Sequence, residues 1–475
     1  MRTPAILPLF LLLISACSTA PTTNEVATEE VSFESPNIIF IMADDLGYGD
    51  LGCYGQTEIQ TPNIDELAAR GIKFTQFYAG STVCAPSRAV LMTGQHTGRT
   101  HVRGNAGGDR ERQSLRTEDI TVAEVLKDAS YQTALVGKWG LGEPEQEGHP
   151  LEQGFDSFFG YLNQRHAHNY YPEFLWDGRD SVPLDNVVKR TNPNRGGFPG
   201  GYATEKVTYS HDLFAEKALD FLKQERSNPF FLYLALTIPH ANNEAGKEGM
   251  EVPDYGIYAD RDWPEAQKGT AAMITRMDSD IGEMVEALKA QGIDDNTLII
   301  FTSDNGPHRE GGNDPDYFDS NGPLQGIKRA MHEGGIRVPF IARWPAYAPA
   351  GVTSDYIGYF GDMMATFAEL AKTDYPDNTQ SISIVPTLLG QTENQRSHNY
   401  LYWEFYEQGS RQAVRMGNWK GIREPMFTGD LQLFNLAEDI SEQTNVADQN
   451  PDIVEDIIQI MDEAHEPSPF WVVKK

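Results

Sequence analysis

The stretch Asn37-Ile-Ile-Phe-Ile-Met-Ala-Asp-Asp45 runs six apolar residues straight into a pair of carboxylates. A strand wetted on one face alternates apolar with polar residues, whereas an unbroken run fits a strand buried on both faces. Three further runs share the form. Tyr131 to Gly137 leads into Lys138-Trp139, Pro229 to Ile238 into Pro239-His240, and Asn296 to Ser303 into Asp304-Asn305-Gly306. Helical patterns separate them over residues 61–71, with Thr61 as N-cap and Pro62 in the first turn, and over 121–128, 204–224 and 263–290. Alternating strand and helix predicts an α/β fold: a large, mostly parallel sheet sandwiched by helices, with ligands outside the carboxyl ends of the strands. Asp-Asn-Gly alone is an ordinary turn, and Asp-Asp alone an ordinary loop start. Four such strand ends together point to a site.

The residue types at those ends specify chemistry. Asp44, Asp45, Asp304 and Asn305 offer only oxygen donors, which suits a hard cation, Ca²⁺ or Mg²⁺, rather than zinc. Arg88, Lys138 and Lys328 supply positive charge for a tetrahedral anion, and His240 titrates near neutral pH. Between the first two strands lies Ser81-Thr-Val-Cys-Ala-Pro-Ser-Arg-Ala-Val-Leu-Met-Thr-Gly94. Pro86 suits a first helical turn and Gly94 a helix stop. A thiol at Cys84 then sits at the positive end of a helix dipole, which lowers its pKa and attracts anions. A merely buried cysteine, or a disulfide with Cys53, fits the same stretch. A divalent cation, several fixed cations and a helix start around one nucleophile describe a site for sulfuryl or phosphoryl transfer.

Cys84-Ala-Pro-Ser-Arg88, followed by Leu91-Met-Thr-Gly94 and Gly98-Arg99, resembles the signature of the type I sulfatases of the alkaline phosphatase superfamily. Asn37 to Asp50, Gly137-Lys-Trp139, Gly154-Phe-Asp156, Pro239-His240, Thr302 to His308, Gly326-Ile-Lys328 and Glu333 to Pro339 match the family in order, so the likeness covers residues 36–436. The resemblance implies an alkaline-phosphatase-like fold, a Ca²⁺ site and sulfate ester hydrolysis. It implies that Cys84 is oxidised to formylglycine by a formylglycine-generating or sulfatase-maturing enzyme, and that the aldehyde hydrate attacks sulfur. In that setting Cys84, Arg88, Lys138, His240 and Lys328 are the catalytic candidates, with His240 as acid for the leaving alcohol. Asp44, Asp45, Asp304 and Asn305 are the metal candidates.

One position departs from the family. Gly137-Lys-Trp-Gly-Leu-Gly142 carries glycine at 140, where the family has a histidine that helps regenerate the aldehyde. Glycine there opens space above Lys138, and His168, with His166 behind it, is the nearest substitute as base or substrate clamp. If residues 163–171 are extended, His166 and His168 share a face. Arg165, His166, His168, His308 and Glu404 are the candidate substrate contacts.

The ends of the chain concern location. Residues 1–17 read as a lipoprotein signal with Cys17 as the lipidated residue, and 18–35 as a flexible tether rich in Thr, Glu and Ser. The expected protein is exported to the periplasm or cell envelope, touching membrane only through that anchor. Lys and Arg number 38 against 69 Asp and Glu, a formal charge of 38 − 69 = −31, which argues against nucleic acid. A catalytic domain over 36–390 is expected to precede an α+β subdomain over 391–475, with antiparallel strands near 400–405, 412–416 and 431–434 and a covering helix at 451–464. The leading expectation is a hydrolase of sulfated oligosaccharide or polysaccharide, algal or glycosaminoglycan. Two alternatives accompany it: a phosphodiesterase or phosphonate monoester hydrolase of the same superfamily, and an inactive lipoprotein that binds sulfated glycans.

Overall fold

In the computed structural model, residues 33–105, 113–191 and 200–473 are described. The signal peptide, Cys17 and nearly all of the tether lie outside them. Ten strands form one sheet, in the order Val352–Ser354, Ile72–Phe74, Phe340–Arg343, Thr297–Ser303, Asn37–Ala43, Phe230–Ala235, Gln132–Lys138, Ser157–Tyr161, Phe174–Asp177 and Asp180–Pro183. The five central strands, from Thr297–Ser303 to Ser157–Tyr161, are all parallel. Antiparallel neighbours flank them on either side. The sheet is therefore mixed, with a parallel centre.

The four apolar runs supply four of those five central strands, and their burial explains the unbroken pattern. Ile39 and Ile41 pack with Leu67, Phe214 and Ile274 from helices Pro62–Ala69, Ser210–Leu222 and Glu265–Ala290. Phe40 turns the other way, edge-on to Phe360 and to Phe367 of helix Asp362–Ala371. Each such side chain contributes roughly 1.5–3 kcal/mol by leaving water. Gly137 must be glycine: its φ is +113°, and a Cβ there would lie 2.0 Å from the Ala235 carbonyl oxygen.

Two helix boundaries differ from expectation. Gly201–Glu205 is a strand, and the helix begins only at Ser210. Asn186 holds the amides of Val207 and Thr208 with its side-chain oxygen, so these residues cannot enter a helix. The long helix starts at Glu265 because Pro264 is extended, with ψ 143°.

The C-terminal sheet has four antiparallel strands, Leu401–Phe405, Arg411–Met416, Trp419–Arg423 and Leu431–Asn435. The third was missed in the sequence; it follows Arg411–Met416 through a tight turn at Gly417, whose φ is +57°. Helix Pro451–Ala464 covers the sheet with Ile457, Met461 and Ala464. This sheet is hydrogen-bonded to the two segments that flank helix Cys84–Thr93. Trp403 Nε1 donates to the Ala79 carbonyl at 2.9 Å, and the amide of Glu404 donates to the Thr97 hydroxyl at 2.6 Å. The helix Cys84–Thr93 lies between those two contacts in sequence.

Candidate active site

Parallel register brings the strand ends into one line. Ala43 pairs with Ser303, so Asp44 and Asp304 emerge side by side, and the Asp304 amide donates to the Ala43 carbonyl at 3.1 Å. Successive strand residues normally face opposite sides. Here Asp45 adopts a left-handed φ of +66°, and its amide donates to Asp304 Oδ1 at 3.1 Å, which keeps both neighbouring carboxylates at the site. Asparagine and aspartate tolerate this conformation better than most residues.

Three cations answer the three carboxylates. Lys138 Nζ lies 2.6 Å from Asp44 Oδ2, Lys328 Nζ lies 2.7 Å from Asp45 Oδ2, and Arg88 reaches Asp304 Oδ2 through Nε at 3.2 Å and Nη2 at 2.8 Å. Arg88 also donates to the Lys138 carbonyl at 2.5 Å, tying the helix to the strand end. Buried charges require such pairing. Desolvation alone would raise the Asp44 pKa, but Lys138, His240 and Arg88 hold it well below the usual carboxylate range. Burial, with Asp44 next to it, pushes Asp304 up to about 6. Against its own burial, Lys328 is kept charged by Asp45.

Cys84 is the first residue of the helix Cys84–Thr93, and Gly94 ends that helix in a left-handed turn as expected. Its Sγ is 3.3 Å from Asp44 Oδ1, on the carboxylate whose other oxygen takes Lys138. Both Cys84 and Cys53 are free thiols, so no disulfide joins them. The thiol is not activated by the helix start. Burial first, then Asp304 and Asp44, push its pKa well above the ordinary value. The Ala85 amide in the first turn is already taken by Asn105 Oδ1 at 2.8 Å. Unmodified, this residue is a poor nucleophile at neutral pH.

The residues present fit a cation. Ligand atoms of Asp44, Asp45, Cys84 and His240 lie within 4.8 Å of one another. Asn305 donates through Nδ2 to Asp45 Oδ1 at 2.7 Å and to the Gly306 carbonyl, while its Oδ1 is buried with no hydrogen-bond partner. A buried carbonyl oxygen left without a donor is costly and suits a hard metal ion.

His240 follows the strand Phe230–Ala235. Its Nδ1 lies 2.6 Å from the Ala241 carbonyl, which only accepts, so Nδ1 carries the proton; Nε2 lies 3.4 Å from Asp45 Oδ2. Burial, then Lys328, lower its pKa well below the ordinary value. Its ring is stacked between two others, with His168 at 4.9 Å and His308 at 5.7 Å between centroids. His308 is buried behind it, held by the Pro239 carbonyl at 3.0 Å and facing Glu310.

Three expectations are corrected. Residues His166–His168 form a turn of 3-10 helix rather than an extended segment, so the two histidines do not share a face. His166 points into the core against Tyr161 and Phe174, where burial lowers its pKa to about 3. Glu404 is fully buried and accepts from Tyr402, Tyr406 and His465 of the C-terminal subdomain and from Arg103 of the catalytic domain, so it has no face open to a substrate. Nor does Gly140 leave open space: a Cβ there would lie 2.0 Å from Gln164 Nε2. Arg165 stands at the edge, its Nε 4.0 Å from Glu244.

Sequence reasoning missed Gln164, Glu244 and Glu310. The last two sit four residues after His240 and two after His308, a spacing within reach of one local turn, which was the available signal.

Residues 36–374 match the Sulfatase family, and residues 326–466 match N-sulphoglucosamine sulphohydrolase, C-terminal. The chain is 33% identical over 366 residues to human N-acetylgalactosamine-6-sulfatase, covering 75% of this chain and 66% of that enzyme. It is 31% identical to the N-acetylgalactosamine-6-O-sulfatase of Bacteroides thetaiotaomicron, over 90% of this chain and 93% of the other. The crystal structure of Ps i-CgsB in complex with k-i-k-neocarrahexaose superposes with a TM-score of 0.75 at 29% identity, covering 93% of this chain and 96% of that one. With the first of these matches spanning well over half its length, this chain belongs to the sulfatase family.

Proposed function

We propose that this protein hydrolyses sulfate esters on a sulfated oligosaccharide or polysaccharide. One observation carries the reading: Cys84 and Lys138 meet on the two oxygens of a single buried carboxylate, Asp44, with His240 and Lys328 on its neighbour Asp45. Relatives named as N-acetylgalactosamine sulfatases, and a neighbour solved with a carrageenan-type hexasaccharide, support a carbohydrate substrate.

Residues Asp44, Asp45, Asp304 and Asn305 would hold Ca²⁺, and Cys84 would be converted to formylglycine by a maturing enzyme. When present, the cation supplies Lewis acidity and the aldehyde hydrate supplies a nucleophilic hydroxyl. Arg88, Lys138 and Lys328 balance the three carboxylates one for one, so a bound dication leaves an excess of positive charge to attract the sulfate ester. Lys138 and Lys328 orient its non-bridging oxygens and stabilise the charge that grows on them as the S–O bond breaks. With its single proton on Nδ1 held by the Ala241 carbonyl, His240 presents an unprotonated Nε2 that would take up a proton and pass it to the leaving alcohol oxygen. Export to the periplasm or cell envelope through the signal and Cys17 belongs to the same proposal. No helix among the described residues is long and apolar enough to cross a membrane.

The test is sulfate release by protein made together with a maturing enzyme, assayed on aryl sulfate, sulfated galactosides and aryl phosphate. Faster turnover of the sulfates supports the proposal. Phosphate ester hydrolysis without sulfate release overturns it.

A further inference from the structure

The helix that begins at Cys84 cannot cap itself. Val83 stands at its N-cap position and has no side-chain oxygen to accept the first amides, and Pro86 has no N–H to offer. The Ala85 amide donates instead to Asn105 Oδ1 at 2.8 Å, a residue 20 positions along the chain. A backbone N–H only donates, so the oxygen of the Asn105 amide is the atom that faces the helix. Asn105 is held in turn from the C-terminal subdomain, its own amide donating to Glu407 Oε1 at 2.6 Å. A Cβ at the preceding Gly104 would fall 2.7 Å from the Trp471 ring, and Trp471 Nε1 donates to the His101 carbonyl at 2.9 Å. Residues 101–105 are thus gripped by the C-terminal subdomain and supply the cap that the Cys84 helix lacks.

We propose that Asn105 is a positioning residue for the nucleophile and that Glu407 holds Asn105 in place, so that the C-terminal subdomain sets the angle at which residue 84 meets Asp44. The inference rests on the sulfatase reading above. Residue 84 directly precedes Ala85, so the rotation of this first turn decides where its side chain points. In the structure Cys84 Sγ lies 3.3 Å from Asp44 Oδ1. A first turn whose amide loses its acceptor frays, and a nucleophile displaced by about 1 Å can cost about a hundredfold in rate. Lys138 and Lys328 are anchored separately, on Asp44 and Asp45. Loss of the cap therefore disturbs the attacking group and spares the cations that receive the ester, which predicts a fall in kcat with little change in KM.

Four variants of the full chain test this. Asn105→Leu and Glu407→Leu each remove an acceptor, whereas Asn105→Asp and Glu407→Gln keep one. In matured protein, with rates expressed per mole of aldehyde, both leucine variants should lose about 10- to 100-fold in kcat on aryl sulfate and sulfated galactoside alike. KM should stay near wild type, and the Asp and Gln variants should recover most of the rate. The double leucine variant should be no slower than the slower single variant, because both act through one contact. A second readout needs no aldehyde: in protein with Cys84 unmodified, hydrogen exchange of the peptide spanning residues 81–94 should show one more fast amide in each leucine variant and the wild-type pattern in Asp and Gln. Glu407→Leu carries the test if Asn105→Leu folds poorly. Wild-type kcat in both leucine variants, losses that multiply in the double variant, a rise in KM with kcat retained, or unaltered exchange each overturn the proposal. Failure of the matured wild type to release sulfate sinks the sulfatase reading instead, and the exchange pattern still decides whether Asn105 and Glu407 cap the helix.

Discussion

Gln164 occupies the space a side chain at position 140 would need, with its Nε2 only 2.0 Å from where the Gly140 Cβ would stand. Gly140 also has a left-handed φ of +80°. A side chain at 140 is thus opposed by the backbone conformation and has to displace the amide of a residue 24 positions later in the chain (164 − 140). Gly140→Ala should therefore destabilise the protein by about 1–2 kcal/mol from the backbone alone, with more from the collision. Gln164→Ala should recover part of the loss. Chemical denaturation of the single and double variants measures it, and additive effects would show that the two residues do not compete for space.

Cys84 should carry an aldehyde when the protein is made with a maturing enzyme, visible as a mass change on the peptide containing residues 84–88. Cys84→Ala should abolish sulfate release and leave thermal unfolding nearly unchanged, since the substitution removes a single Sγ whose hydrogen-bond partner, Asp44, keeps Lys138. Full turnover by that variant would remove Cys84 from the mechanism.

Chelation tests the oxygen cage. Removing divalent metal should abolish activity and lower the melting temperature, and Ca²⁺ should restore both where Zn²⁺ does not. A ligand held at one hundred times its Kd stabilises the folded state by about 2.7 kcal/mol. Asn305→Leu, which deletes the unpartnered buried oxygen, should weaken the Ca²⁺-dependent rise in melting temperature. An unaltered calcium response in that variant would exclude Asn305 as a ligand.

Glu404 should act on stability rather than on substrate. Its carboxylate faces Arg103 at 3.4 Å and His465 at 2.6 Å, both inside the protein. Glu404→Ala leaves Arg103 without its buried partner and should cost about 3–5 kcal/mol. KM measured on the fraction that remains folded should stay near wild type. A selective rise in KM without loss of stability would return Glu404 to the substrate site.

His166 should make the protein acid-sensitive. Burial lowers its pKa from 6.5 to about 3 in the folded state. Below pH 6.5 the unfolded chain binds a proton that the folded protein refuses, so stability is complete above that pH and is lost as pH falls toward 3. The slope contributed is about 1.4 kcal/mol per pH unit within that window. His166→Gln cannot titrate and should flatten this part of the pH–stability curve; an unchanged slope would show that His166 does not contribute.

The local sequence determined four of the five central strands, the helix start at Cys84 and the identities of the residues at those strand ends. Each is encoded within one short segment: an apolar run with no polar break, a proline in a first turn, a charged residue where the run stops. Parallel register then made the convergence of Asp44, Lys138, His240 and Asp304 follow from topology, because aligned strands end on one edge. Only the tertiary structure decided what each titratable group faces. Cys84 reads as an activated thiol from its helix position, yet burial beside Asp304 and Asp44 raises its pKa. Glu404 and His166 have the chemistry of substrate contacts and are turned inward, one onto Arg103 and the other onto Phe174. Glu244, in an unremarkable loop sequence, becomes the partner of His168. Segment-local signals specify where the backbone goes. Burial and pairing depend on residues far apart in the chain, and these set whether a side chain serves the substrate or the fold.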